Sequence, residues 1–182
     1  MSSAQVGRRR LFVLLAGSGL AGCGFRPLYM PTASGGPGVA QRELAAISVD
    51  IIPDRPGQLL RQALQERLGA GASGIARRYD LSVGYGIAGE GIAIEPDSTI
   101  TRIRLVGRAD WTLRAQDPAR TVVTSGLARI VDDLNIFQNQ YFGADLENEA
   151  AQRRLATVIA DQITTQLAAF FKRRSLEGQG SA

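Results

Sequence analysis

Tyr79-Asp80-Leu81-Ser82-Val83-Gly84-Tyr85-Gly86-Ile87 sets an apolar side chain at every second position and a small or polar residue between them. That repeat of two is the repeat of a strand with one buried face, and a helix of 3.6 residues per turn does not fit it. Ile92 and Ile94 then continue the apolar pattern on the other parity, so the spacing predicts a bulge or kink at Gly89-Glu90-Gly91. Glu95-Pro96-Asp97-Ser98-Thr99 has the residues of a turn. The returning strand places Ile103, Leu105, Ala109, Trp111 and Leu113 on one face and Arg102, Arg104, Arg108 and Arg114 on the other. Two long antiparallel strands therefore stand at the centre of the fold.

Upstream, Ile47, Val49 and Ile51 alternate as a strand would. Asp54 is placed to cap a helix with Pro56 in its first turn, and Leu59, Leu60, Ala63, Leu64 and Leu68 form its apolar stripe before Gly69 stops it. Downstream, Gln116-Asp117-Pro118-Ala119 turns the chain into residues 121–131, which have strand composition but mixed parity, so neither facing is favoured. From about Ala144 to Arg174, the residues Ala151, Leu155, Ile159, Ile163, Leu167 and Phe171 step by four, with Val158 and Phe170 widening the stripe. Asp145, Glu147 and Glu149 fall near the start of this helix and Lys172, Arg173 and Arg174 near its end, each sign suited to the helix dipole. The order β-α-β-β-β-α predicts an α+β domain: a four-stranded, mostly antiparallel sheet with two helices packed on one face. The first strand reaches the second through a helix, which favours a parallel pairing by a right-handed crossover.

The N-terminal residues belong to a different category. Arg8, Arg9 and Arg10 precede an apolar run from Leu11 to Leu20, followed by Ala21-Gly22-Cys23. A basic start, roughly ten apolar residues and a small-residue end describe an export signal rather than a membrane span, which needs roughly 20. Leu20-Ala21-Gly22-Cys23 resembles the bacterial lipobox, which implies cleavage before Cys23 and acylation of its thiol and freed amine. Gly24 instead of Asp after the cysteine resembles enterobacterial lipoproteins sorted to the outer membrane, which implies anchoring there on the periplasmic side. The expected organisation is a lipoprotein signal over 1–22, a lipidated tether over 23–43 rich in Pro and Gly, a folded domain over 44–174 and a disordered tail over 175–182. Phe25, Leu28 and Tyr29 are the apolar exceptions within the tether.

Composition removes much chemistry. The chain has 182 residues, one Cys and no His, which excludes Ser–His–Asp and Cys–His nucleophiles, His-bound zinc and internal disulfides. The 21 Lys+Arg exceed the 17 Asp+Glu, but three of those arginines lie in the signal, so the mature chain is close to neutral and carries no nucleic-acid signature. Ser–Lys chemistry finds only Lys172, set among charges at a helix end. Asp132-Asp133 is the one adjacent acid pair, and neighbours on a strand point to opposite faces, which speaks against a general acid/base dyad. No enzyme, cofactor or metal is expected.

A lipobox followed by Gly24-Phe25-Arg26-Pro27-Leu28-Tyr29, then the stretch from Ile47 to Arg61 and Leu64-Gln65-Glu66-Arg67-Leu68, resembles the LptE family of lipopolysaccharide-assembly lipoproteins, in particular its alphaproteobacterial branch. The paired long strands, a segment centred on Tyr141 and the helix containing Glu149–Leu155 fit the same pattern. The resemblance implies a non-enzymatic protein that plugs and helps assemble the large outer-membrane β-barrel LptD and assists lipopolysaccharide insertion. Lipopolysaccharide carries phosphates and carboxylates, so Arg102, Arg104 and Arg108, about 7 Å apart where they alternate along one strand face, are candidate contacts. The plain alternative is a solubilising face paired across to Asp80 or Glu95. Phe137, Tyr141 and Phe142, in a non-periodic stretch rich in Asn and Gln, are candidate barrel contacts, the alternative being a cap on the long helix. The rival function is a lipoprotein subunit of an ABC-type lipid-trafficking system.

Overall fold

The computed structural model describes residues 38–69, 74–94, 100–135 and 141–180. The elements run α1 (Val39–Ala45), β1 (Ile47–Val49), α2 (Asp54–Gly69), β2 (Tyr79–Ile94), β3 (Ile100–Ala115), β4 (Val122–Asn135) and α3 (Tyr141–Gly180). The strands form one sheet in the order β1-β2-β3-β4, with β1 parallel to β2 and the other pairings antiparallel. This is the expected α+β domain with a third helix added. Cys23, the signal, most of the tether, the 95–99 turn and Phe137 lie outside the described residues.

One face of the sheet is buried and the other is bare. Leu81 and Val83 of β2, Ala109, Trp111 and Leu113 of β3 and Ala128 of β4 point inward against Leu60 and Leu64 of α2 and Ile159, Ile163 and Leu167 of α3. The strand parity expected for β2 and β3 holds along their whole covered length. On α3 the stripe is widened by Ala156, Ala160 and Ala168 and not by Val158, which is 37% exposed. Small side chains on that flank let α2 approach α3, and Arg67 on α2 clamps Asp161 on α3 from the solvent side, Nη2 to Oδ2 at 3.1 Å.

Several boundaries differ from expectation for local reasons. Helix α1 occupies the end of the stretch read as tether, and Ala40, Leu44 and Ala45 are buried. At under two turns it offers too few apolar repeats to stand out from the Gly and Pro before it. Strand β1 ends at Val49, so Ile51 is 83% exposed while Ile52 turns inward. Gly57 admits that side chain: a Cβ there would stand 2.7 Å from Ile52 Cγ2. Asp54 enters α2 at φ +64, a left-handed backbone that a short polar side chain tolerates. The irregularity in β2 falls between Gly91 and Ile94, just past the glycine pair, because β2 keeps its register with β3 as far as Gly91. Helix α3 runs three residues earlier and six later than the 144–174 reading, since extending a formed helix needs no new nucleus. Its acids therefore lie beyond the first turn, and Lys172, Arg173 and Arg174 lie well before the last.

The mixed parity of residues 121–131 has a specific cause. The β3–β4 register shifts between Leu113 and Arg114, so that Thr124 opposes Leu113 while Val122 opposes Arg114. Val123 is the extra residue, a bulge that switches the apolar parity from odd to even. Beyond it Gly126, Ala128 and Ile130 face the helices. Gly126 is required there, because a Cβ would meet Trp111 Cζ2 at 2.5 Å. Trp111 Nε1 donates to Gln166 Oε1 at 3.0 Å across this gap.

Strand β4 is a sheet edge, and α3 occupies part of it. Gln162 accepts from the Arg129 N–H at 3.1 Å and donates to the Arg129 carbonyl at 3.3 Å, as a neighbouring strand would. Gln166 Nε2 donates to the Leu127 carbonyl at 3.0 Å. Two side-chain amides thus satisfy backbone groups that an open edge leaves bare.

Candidate functional site: the open sheet face

All described helix contacts lie on one side of the sheet, so the alternate residues of β2, β3 and β4 form an open face. On β2 it is floored by Gly84, Gly86 and Ala88, which keep it low. Across β3 and β4 the facing pairs are Arg104 with Asp133, Val106 with Val131, Arg108 with Arg129 and Asp110 with Leu127. The face is therefore amphiphilic: Leu127 and Val131 are 43% and 41% exposed beside the arginines.

Arg102, Arg104 and Arg108 are exposed on this face, as the alternation required. Among the described residues their partners are acids other than Asp80. Arg102 Nη2 donates to Asp133 at 2.7 Å, and Arg104 lies 3.8 Å from the same carboxylate. Arg108 pairs along its own strand with Asp110 at 3.0 Å, and this fork holds the Asp110 carboxyl below its ordinary range by hydrogen bonding. Asp80 serves Arg120 and Gln116 instead, and Glu95 lies outside the described residues. Arg129, which faces Arg108 directly, makes no ion pair among the described residues. Like charges opposed on adjacent strands repel, so this pair leaves donor capacity on the surface.

The two adjacent acids separate as strand geometry demands. Asp133 takes Arg102 and Arg104 on the open face, while Asp132 takes Arg154 of α3 at 2.9 Å on the covered side. They form no dyad. Among the described residues no cluster of His, Cys, Asp and Glu has the makings of a metal site, and no helix is long and apolar enough to cross a membrane.

The helical cover ends before the hairpin does. Leu105, Ala151 and Leu155 close the core with Ile87, Ile103 and Ile130 around them. Gly89, Glu90, Gly91 and Ile92 beyond this cluster are exposed. The β2–β3 hairpin thus runs on past this cluster, with Arg102 and Arg104 on its outer stretch opposite Asn135 and Asp133 of β4. Tyr141 and Phe142 are the first residues of α3 rather than part of a loop. Sequence reasoning missed Arg129 and Asp133, since assigning them needed the register and the Val123 bulge.

The comparisons with known proteins agree with this architecture. A family model described as LptE, lipopolysaccharide-assembly, matches residues 44–167. A lipoprotein crystal structure from Caulobacter crescentus is similar at 21% identity and a TM-score of 0.62, covering 74% of this chain and 96% of that one. Rare lipoprotein B from Shewanella oneidensis is similar at 14% identity and a TM-score of 0.51, covering 72% and 96%. A minor lipoprotein from Acinetobacter baumannii is similar at 16% identity and a TM-score of 0.50, covering 68% and 90%. At these identities the solved structures speak to the fold alone. No curated protein sequence matches the chain significantly.

Proposed function

The chain belongs to the LptE family of lipopolysaccharide-assembly proteins, and from that premise we propose that it is an outer-membrane lipoprotein that plugs and helps assemble the LptD β-barrel and assists lipopolysaccharide insertion. Cys23 carries the acyl chains that hold it to the periplasmic side, where more than one chain makes the anchoring stable. It works by contact and catalyses no bond change. Phe137, Tyr141 and Phe142, at and just before the start of α3 in the chain, touch the barrel.

The observation that carries this reading is the open face of β3 and β4, where Arg102, Arg104, Arg108 and Arg129 stand beside Val106, Leu127 and Val131. Lipid A offers the complement, phosphates next to acyl chains. Arginine suits phosphate because its planar fork donates two parallel hydrogen bonds. The Arg102–Asp133–Arg104 group shares one carboxylate between two guanidiniums, so donors remain for a ligand after the ion pair is made.

Affinity purification of the C-terminally tagged lipoprotein tests the partner. Recovery of an outer-membrane barrel is expected, and recovery of an inner-membrane permease in its place would overturn the reading in favour of a lipid-trafficking ABC system. Deleting residues 137–142 should weaken barrel recovery. Charge reversal at Arg102, Arg104 and Arg108 should abolish lipopolysaccharide capture by the purified protein. Undiminished capture removes these arginines from the ligand site.

A further inference from the structure

The two edges of the sheet are finished differently. Along β4 the backbone groups of Leu127 and Arg129 are taken by Gln166 and Gln162. On β2 the neighbour is β1, which pairs only with Tyr79 to Leu81. Among the described residues the last backbone bond on that side runs from the Asp50 N–H to the Leu81 carbonyl at 3.0 Å. Even-numbered residues of β2 turn their backbone groups to β3, as the Gln116 N–H does in donating to the Arg78 carbonyl at 2.9 Å just before the ladder begins. Strand alternation therefore aims the N–H and C=O of Val83, Tyr85, Ile87 and Gly89 outward, where no backbone group of the described residues meets them. From Val83 to Gly91 this bare edge is roughly 25 Å long, at about 3.3 Å per residue.

Native edges are guarded by lysine, proline, a bulge or shortness. Val83-Gly84-Tyr85-Gly86-Ile87-Ala88-Gly89-Glu90-Gly91 has one charge and no proline, and its register with β3 is unbroken. The space beside it on the open face is also free: a Cβ at Gly86 would meet nothing within 4 Å, and one at Gly84 only the Asp110 carbonyl at 3.8 Å. An incoming strand with large side chains can cover these glycines, whereas a second copy of β2 brings only glycine and alanine to that face. Ile51, just past β1, and Ile92, at the far end, are exposed apolar side chains that bracket the edge.

We infer that the β2 edge from Val83 to Gly89 takes an extended segment of the barrel protein as an added strand of the sheet. The inference rests on the reading of this chain as the barrel's plug. Outward N–H and C=O groups spaced along a strand are matched by the backbone of an extended polypeptide. A closed barrel keeps no free edge of its own, so the segment is a loop or terminus that enters the lumen. The edge also leads to the proposed barrel contacts. It runs toward the hairpin end, where Ala151 and Leu155 of α3 pack with Leu105, and this brings the start of α3, with Tyr141 and Phe142, to the same end.

Residue-resolved amide hydrogen exchange on the full mature lipoprotein, alone and in complex with the barrel, tests it. The amides of Val83, Tyr85, Ile87 and Gly89 should exchange freely in the lone protein and roughly tenfold more slowly in the complex, while Gly84, Gly86 and Ala88 stay protected by β3 in both. Gly89→Pro removes an outward N–H and Gly89→Ala keeps it, so barrel recovered with the proline variant should fall roughly tenfold below that with the alanine variant. A circular dichroism melt checks that both fold. Should the proline variant fail to fold, Gly84→Lys, a charge set beside the edge, replaces it with the same expected loss. Outward amides that the barrel leaves unchanged overturn the inference, as does equal recovery with the blocking variant and with Gly89→Ala. So does protection already present in the lone monomer, which assigns the edge to this chain's own residues, and protection that tracks dimerisation in sedimentation, which assigns it to a second copy. Wild-type protein that recovers no barrel sinks the partner reading and this inference with it, whereas a recovered barrel with unprotected amides sinks only the edge.

Discussion

The two faces of one sheet are built from the same strands and obey different rules. On the covered face Leu81 and Leu113 are fully buried, and apolar packing decides most positions. On the open face, one residue along in each case, Arg104, Arg108 and Arg129 stand in water and are placed by register alone. The lesson is a division of labour: stability is concentrated in one parity and the other is free to carry recognition. Substitutions should therefore fall into two classes, large on one side and small on the other.

Leu113→Ala breaks the covered face most directly. A fully buried leucine that leaves a cavity costs about 3 kcal/mol, read as a lower urea midpoint with an unchanged slope. A comparable loss from Arg104→Ala would abolish the contrast between the faces.

The covered face also holds two flaws, and they sharpen the comparison. Thr164 Oγ1 and Tyr85 Oη are buried without hydrogen-bond partners among the described residues. Thr164→Val should raise stability by about 1 kcal/mol, because a buried hydroxyl that pairs with nothing loses its hydration without compensation. Burial pushes the Tyr85 phenol up from 10.0 to about 12. Between those values the unfolded chain loses the proton and the folded chain keeps it, so stability falls as pH rises from about 10 toward 12. Tyr85→Phe should remove that part of the alkaline loss, as followed by urea midpoints across the range.

The smallest effects belong to the open face. Arg102→Gln and Arg104→Gln should each change stability by no more than about 0.5 kcal/mol, since exposed ion pairs contribute little. Arg129→Gln should stabilise by a few tenths of a kcal/mol, roughly the cost of opposing like charges, and the gain should shrink in added salt.

The covered face is largely legible in the amino-acid sequence, because Tyr79 to Ile87 and Ile103 to Leu113 repeat at two and Ala151 to Phe171 at four. What escapes such a reading is whatever depends on an offset. The Val123 bulge reverses parity within β4, and a one-residue insertion has no compositional mark when valines and threonines stand on both sides of it. Helix α1 is hidden by its shortness. On the candidate site, the arginines' common face follows from alternation. Their partners do not: Asp133 rather than Asp80 answers Arg102 because pairing is set by hairpin length and register, which local sequence constrains poorly.

Gln162 and Gln166 have one more implication. By bonding Arg129 and Leu127 through their own amides, they seat a stand-in where a foreign strand would zip alongside β4. Lateral growth of the sheet is foreclosed along that stretch, both toward a sister molecule and toward the rim of any barrel. A companion arriving from the β4 side must instead come flat onto the arginine face, so on that side the direction of approach is already written into two glutamines.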